Sequence, residues 1–492
     1  MSAEIPDFWR HYIDGGWSAG NSGGRIDVLD PATGERLTEA PRADANDIDT
    51  AVRAAHRCSE DRRLVDMAPA DRGRALIEVA FALRARADEV ARLLTLDSGK
   101  PMSQAHAEIE ASARYFEYYG GQADKLEGRY IPLGAGVVDY TIPEPYGVSA
   151  HVVPWNFPLE MTARSLAPAL AAGNAVVVKV PELDPLAPLL LGELFAQTAL
   201  PAGAVNLVCG YGHDAGHALV RHPLVDHLVF TGSVPTGRDI LHAAADRVVP
   251  SIMELGGKSA GVVFADADID RVVSSTRWGI FFNSGQACNA MSRLLVHRSI
   301  HDEVVDGLRA MSESLRVGAG MDEAEITPVI SAEHLDRVEG FCRRATEEGA
   351  QPVTGGERVS GRNGFYMPPT VFAGVEPGHE IAREEVFGPV LAVLPFDSDE
   401  EGIRLANGTD YGLAAGAFTQ DLDRAHWAAA RLKAGQVYVN EWFTGGVETP
   451  FGGCKRSGFG REKGQEALFN YVQSKNVGIR LGATPGSSSD GG

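Results

Sequence analysis

The chain has 492 residues, 44% hydrophobic and 23% charged, with a net charge of −21, as expected of a soluble globular protein with two or three domains. That acidity argues against nucleic acid or an anionic membrane as partner, since both need a basic face. Five scattered cysteines without a CxxC or Cys/His cluster exclude a disulfide framework and a zinc site, so no metal and a reduced, cytoplasmic setting are expected.

The opening "MSAEIPDFWRH" lacks a basic start and an apolar run, and "LAPLLLGELFAQTAL" is interrupted by Glu193 before it reaches membrane-spanning length. From Leu76 to Leu96, apolar residues recur at helical spacing, with Asp71 near the start and Gly99 past the end. The stretch "GGQADKLEGRYIPLGAGVVDYTIPEP" reads as an extended, hairpin-like arm that packs on another element or subunit. Then short apolar runs, "GVSAHVV", "NAVVVKV", "AVNLVC" and "DHLVF", arrive roughly every 25 residues with amphipathic stretches between them, the rhythm of βαβ units on a parallel sheet. The helix "FPLEMTARSLAPALAAG" closes at Gly173, and Asn156, Lys179, Gly210 and Thr231 all follow strand ends, where ligands of such sheets bind. A second alternating block runs from about Ser259 to Asn440, and the tail "GATPGSSSDGG" is expected to be disordered.

Several residues carry two readings. Cys288 in "FFNSGQACNAMSR" is a buried filler or a nucleophile. Glu254 in "MELGGKSA" is a general base with a raised pKa or half of a structural ion pair. Asn156 stabilises an oxyanion or caps the helix after it. The glycines of "GYGHDAGHA" and "VFTGSVPTG" are phosphate turns or ordinary ones, and "GGCKRSGFG" is a structural turn.

Together, "DPATGE", "PWNFPL", "FTGS", "MELGGKS", "FFNSGQAC", "EEVFGPV" and "TPFGGCKRSGFGRE" resemble the aldehyde dehydrogenase superfamily, in family order and over nearly the whole chain. The resemblance implies an α/β fold. A Rossmann-like NAD-binding domain (1–121 and 146–256) would join an α/β catalytic domain (257–455). A small β oligomerisation arm with a C-terminal strand (122–145 and 456–482) and a disordered tail (483–492) would complete the chain, assembled as a homodimer or homotetramer. It implies the NAD-dependent, non-acylating reaction: Cys288 attacks an aldehyde, Asn156 and the Cys288 N–H hold the oxyanion, and Glu254 activates the water that frees the acid. Cofactor contacts fall on Val153, Pro154, Trp155, Lys179, Glu182, Gly212, Phe230, Ser233, Leu255, Glu385 and Phe387; Glu182 on a ribose hydroxyl favours NAD over NADP.

The substrate tunnel falls on Phe157, Glu160, Met161, Arg164, Phe282, Ala287 and Asn289. Arg164 is an arginine where succinic semialdehyde dehydrogenases anchor a substrate carboxylate, yet their second arginine, six residues before the cysteine, is here Phe282. Glu160, one turn away on the helix, offers Arg164 a partner of its own. An aromatic or aliphatic aldehyde and an acid semialdehyde both remain open, and Cys454, in place of a common Tyr, is expected to be silent. A CoA-acylating relative is disfavoured by Glu254, a catalytically silent binding protein by the retained motifs, and a Cys/His hydrolase by the absence of a motif histidine other than His151.

Overall fold

The computed structural model describes residues 5–482; the tail expected to be disordered lies outside them. Two large sheets carry the fold. In the first, strands run in the order Gly458–Phe459, Ser251–Leu255, His227–Gly232, Val148–Val152, Ala175–Val180, Val205–Cys209, His11–Ile13 and Gly16–Ser18. Its five central strands are parallel. In the second, the order is Gln351–Thr354, Thr370–Ala373, Val390–Phe396, Arg293–His297, Ala260–Val263, Ala414–Phe418 and Gln436–Val439, parallel except at the Gln351–Thr354 edge. Strands such as Ala175–Val180 are buried at every position, which is why they read as unbroken apolar runs.

A third, three-stranded sheet joins Val472–Arg480 to Val137–Pro145 and Tyr130–Ile131, antiparallel throughout. Only the end of the C-terminal segment belongs to it. Gly458–Phe459 instead pairs with Ser251–Leu255 on the first sheet, so this part of the segment supports the Glu254 strand rather than the arm.

The helical region expected from Leu76 to Leu96 is made of two helices, Pro69–Ala85 and Ala87–Ser98; the chain leaves helical geometry at Arg86, whose guanidinium reaches both Glu89 and Glu193. Gly99, at φ 81°, closes the second in the left-handed conformation. The arm was read to begin at Gly120, but helix Met102–Gln122 runs through it. A Cβ on Gly120 would lie 2.7 Å from the Gly73 carbonyl oxygen, so this glycine lets two helices touch instead of ending one.

Candidate active site

The parallel strands of the first sheet deliver chemistry at their carboxyl ends. After Val148–Val152 the chain passes Val153, Pro154 and Trp155 to Asn156, then enters helix Pro158–Ala172. Asn156 does not cap that helix. Its first amides, Leu159 and Glu160, donate instead to Oε1 of Glu108, at 2.9 and 3.2 Å. The side chain of Asn156 is thereby free to point elsewhere, and its Nδ2 donates to the Gln286 carbonyl at 3.0 Å. Its own carbonyl accepts from Lys100 Nζ at 3.1 Å and Asn283 Nδ2 at 2.9 Å.

The Cys288 loop is built from unusual backbone. Asn283, Ser284 and Gly285 all have positive φ, at 47°, 51° and 74°. Such a run is costly for non-glycine residues and persists only where neighbours dictate it. Ser284 Oγ donates to the Thr327 carbonyl at 2.8 Å, and the Ile330 amide donates to Gln286 Oε1 at 2.9 Å. A Cβ on Gly285 would sit 2.0 Å from the Gly388 carbonyl oxygen, so this glycine serves the packing of the loop.

Two cavities meet at Cys288. The larger, about 1000 Å³, is lined by Pro154, Trp155 and Asn156, by Ser233, Glu254 and Leu255, and by Glu385 and Phe387. The smaller, about 160 Å³, is lined by Phe157, Glu160, Arg164, Phe282, Ala287 and Asn289. Met161 and Cys288 belong to both. Val153 and Phe230 are buried beneath the larger cavity's strands, while Lys179, expected after the strand end, is the penultimate residue of Ala175–Val180 and ion-pairs with Glu182 just past it. Gly212 begins a short helical turn after Val205–Cys209. Neither the Lys179–Glu182 pair nor Gly212 is in the cavity wall.

The larger cavity fits a dinucleotide. Ser233 caps helix Val234–Arg247, whose N-terminus faces the cavity through Val234 and Pro235, an arrangement suited to a pyrophosphate. Glu385 accepts from the Gly257 amide at 2.8 Å, and a Cβ on Gly256 would fall 2.2 Å from its other oxygen. Burial raises Glu385 to about 7. Phe387, at φ 63°, is gripped by His334 Nε2, which donates to its carbonyl at 2.7 Å, and Trp155 packs edge-on against both rings.

The electrostatics around Cys288 favour neutral groups. Burial pushes its thiol up to about 12; Arg164 draws it down, while Glu254 and Glu385 push it further up. Glu254 is buried, and neither of its oxygens has a hydrogen-bond partner among the described residues. Burial, and then the neighbouring Glu462, raise it well above the carboxylate range, against the pull of Arg164 and Arg461. It is not half of a structural ion pair. His151 hydrogen-bonds to Ser149 and Ser165 in the sheet core and lines neither cavity.

Arg164 differs from its expected pairing. It is 3% exposed and ion-pairs with Glu462, not with Glu160, while its guanidinium carbon stacks 4.7 Å from the Phe451 ring centre. Phe451 and Glu462 bridge each other through both backbone amides, which fixes the two groups against Arg164 together. Glu160 accepts from Tyr115 at 3.2 Å. Sequence reasoning missed Glu462 and also Lys463, Phe443, Phe451 and Tyr438 of the smaller cavity. Glu462 and Lys463 stand in or beside "GFGRE", where the charges were a signal left unread.

A profile described as the aldehyde dehydrogenase family matches residues 17–477. The chain belongs to the aldehyde dehydrogenase family. The mitochondrial benzaldehyde dehydrogenase of Antirrhinum majus is 42% identical over 471 residues, 94% of this chain and 88% of that protein. Aldehyde dehydrogenase family 2 member B4 of Arabidopsis thaliana, also mitochondrial, is 42% identical over 468 residues, 94% and 87% of the two chains. The NAD⁺ complex of a Bacillus cereus aldehyde dehydrogenase superposes with a TM-score of 0.95 at 39% identity, covering 96% of this chain and 97% of that one. This aldehyde dehydrogenase is therefore an oxidoreductase that uses NAD on aldehydes. Among its described residues, no helix is long and apolar enough to cross a membrane.

Proposed function

We propose that the enzyme oxidises apolar, chiefly aromatic, aldehydes to free carboxylic acids through a covalent adduct on Cys288. The observation that carries this reading is the meeting of the two cavities at the Cys288 thiol, with Glu254 and Asn156 in the wall of the larger. The Cys288 thiol gives up its proton to water, the thiolate sulfur adds to the aldehyde carbon, and the resulting oxyanion is held by Asn156 Nδ2 and the Cys288 amide. Bound NAD would supply the hydride acceptor for this carbon, and Glu385, Phe387 and Trp155 would hold its nicotinamide end. Glu254 then takes a proton from water, which attacks the thioester and releases the acid and the thiol. Lys179 and Glu182 hold the distal ribose, Ser233 and the backbone near Gly212 the diphosphate side, and Pro154 and Leu255 the walls, with Val153 and Phe230 packed behind them.

Aromatic substrates are favoured because Phe157 and Phe282 stack at 5.8 Å with planes 17° apart and Phe443 lies edge-on to Phe282 at 5.8 Å. The carboxylate anchor is disfavoured because Glu462 already neutralises Arg164. A relative named benzaldehyde dehydrogenase supports the same choice. The enzyme works in the cytoplasm, as a homo-oligomer joined through the three-stranded sheet, where Ile142 and Ile479 stand exposed. The test is NADH release from aliphatic, aromatic and carboxylate-bearing aldehydes by wild type, Arg164→Ala and Cys288→Ala. Aromatic aldehydes should lead, and Cys288→Ala should still bind NAD while forming no NADH. A leading acid semialdehyde whose KM rises in Arg164→Ala would restore the anchor reading.

A further inference from the structure

The smaller cavity holds three charged side chains besides Cys288, and they are not used alike. Arg164 ion-pairs with Glu462, which is 2% exposed, while its Nε has no hydrogen-bond partner among the described residues. Glu160 and Lys463 remain, and both line the cavity. Lys463 Nζ has neither an ion pair nor a hydrogen bond among the described residues; burial lowers its pKa, and Arg164 adds to that, against the opposing pull of Glu160 and Glu448. Its chain conformation is also special: at φ 64° Lys463 occupies the left-handed region without being glycine. The neighbouring Gly464 amide is tied to the Val447 carbonyl at 2.7 Å, which keeps this turn in place. The stem of Lys463 lies against an aromatic wall, its Nζ 5.8 Å from the Phe451 ring centre.

Glu160 is arranged in a complementary way. Tyr115, itself buried, donates to Oε1 at 3.2 Å, so one carboxylate oxygen is held and the other is left to the cavity. Glu160 and Lys463 are not in ion-pair contact with each other, so the cavity offers a separated acceptor and donor between aromatic surfaces. A carboxylate on the substrate would be attracted to Lys463 and repelled by Glu160. A bare ring packed against these half-buried groups would displace their water without offering a hydrogen bond, which carries a desolvation cost. A neutral hydroxyl suits both, because it donates one hydrogen bond and accepts another.

We propose that Glu160 and Lys463 select a hydroxyl on the substrate, so that the preferred substrates are hydroxy-substituted aromatic aldehydes, the hydroxyl donating to Glu160 and accepting from Lys463. The proposal rests on the aromatic-aldehyde reading above and narrows it. Sites built to hydrogen-bond a hydroxyl reject analogues lacking it, because their own polar groups are then unpaired.

The experiment compares kcat/KM for benzaldehyde, its 3- and 4-hydroxy, 4-methyl and 4-carboxy derivatives, and acetaldehyde. Enzymes are wild type, Lys463→Met and Glu160→Gln, with NAD binding followed by fluorescence as the check that each variant is folded. Wild type should favour one hydroxybenzaldehyde isomer over both benzaldehyde and the methyl analogue by about tenfold. That ratio should collapse towards unity in Lys463→Met and fall in Glu160→Gln. A wild type indifferent to the hydroxyl, or a preference that survives Lys463→Met, overturns the proposal while the aromatic reading stands. Preference for the carboxy derivative also overturns it. If acetaldehyde is oxidised and every benzaldehyde is refused, the aromatic reading itself fails.

Discussion

Lys100 Nζ donates to the Asn156 carbonyl at 3.1 Å and ion-pairs with Glu108, whose other oxygen holds the first amides of the helix that follows Asn156. One buried ion pair thus fixes the backbone on both sides of the amide assigned to the oxyanion. Both side chains are about 1% exposed, so neither charge has water to fall back on. Lys100→Met should leave Glu108 uncompensated, lowering stability by about 3–5 kcal/mol, and should also lower kcat by about tenfold to a hundredfold through misplacement of Asn156. The two effects separate in Lys100→Met with Glu108→Gln, which removes the stranded charge but keeps an oxygen for the helix amides. Thermal melts should recover in that double variant and kcat should not, with KM for aldehyde little changed. Recovery of kcat alongside stability would reduce Lys100 to a purely structural role.

Much of this site was legible because its motifs are local. Cys288, Glu254 and Asn156 each stand in a short stretch whose company gave it meaning, and the spacing of apolar runs announced the parallel sheets. What stayed hidden depends on segments distant in sequence. Arg164 invited a partner one helical turn away, but its ion pair is with Glu462, brought alongside by the backbone bridge to Phe451. Gly120 read as the start of an extended arm because nothing local reveals that a second helix presses on it through Gly73. Nothing local shows that the missing Cβ of Gly285 makes room for the Gly388 carbonyl. Lys100 and Glu108 carried no signal, since a buried ion pair is visible only once both helices are packed.

Acid stability should be governed by buried histidines. His227 and His151 flank Ser149, accepting or donating at 2.9 and 2.8 Å, and both are held at about 3 by burial. His11 and His334 are held at about 4 by the same cause. Because these folded-state values lie below the unfolded value of about 6.5, the unfolded chain binds more protons between them. Stability contributed by the neutral rings is therefore complete above about pH 6.5 and is lost as pH falls towards 3 to 4, at up to about 1.4 kcal/mol per group per pH unit. Urea midpoints at pH 7.5, 6, 5 and 4.5 should fall progressively below 6.5. His227→Gln, which keeps a polar side chain but cannot titrate, should flatten that slope. An identical slope in wild type and variant would remove His227 from the account.

The reaction itself should gain from alkali. Burial keeps the Cys288 thiol at about 12 and Glu254 well above the usual carboxylate range, so at neutral pH both hold protons that the chemistry needs removed. Both are acids, and raising pH converts each towards its reactive form, so kcat should climb from pH 6 to 9. Glu254→Gln keeps the shape of the side chain and removes the base. It should spare a first-turnover burst of NADH, because hydride leaves before water attacks, and slow the steady state by about 10²–10⁴-fold. Stopped-flow absorbance of NADH across that pH range reads both phases in one trace. If the burst disappears together with the steady rate, Glu254 acts earlier, by taking the proton from Cys288 before the sulfur adds.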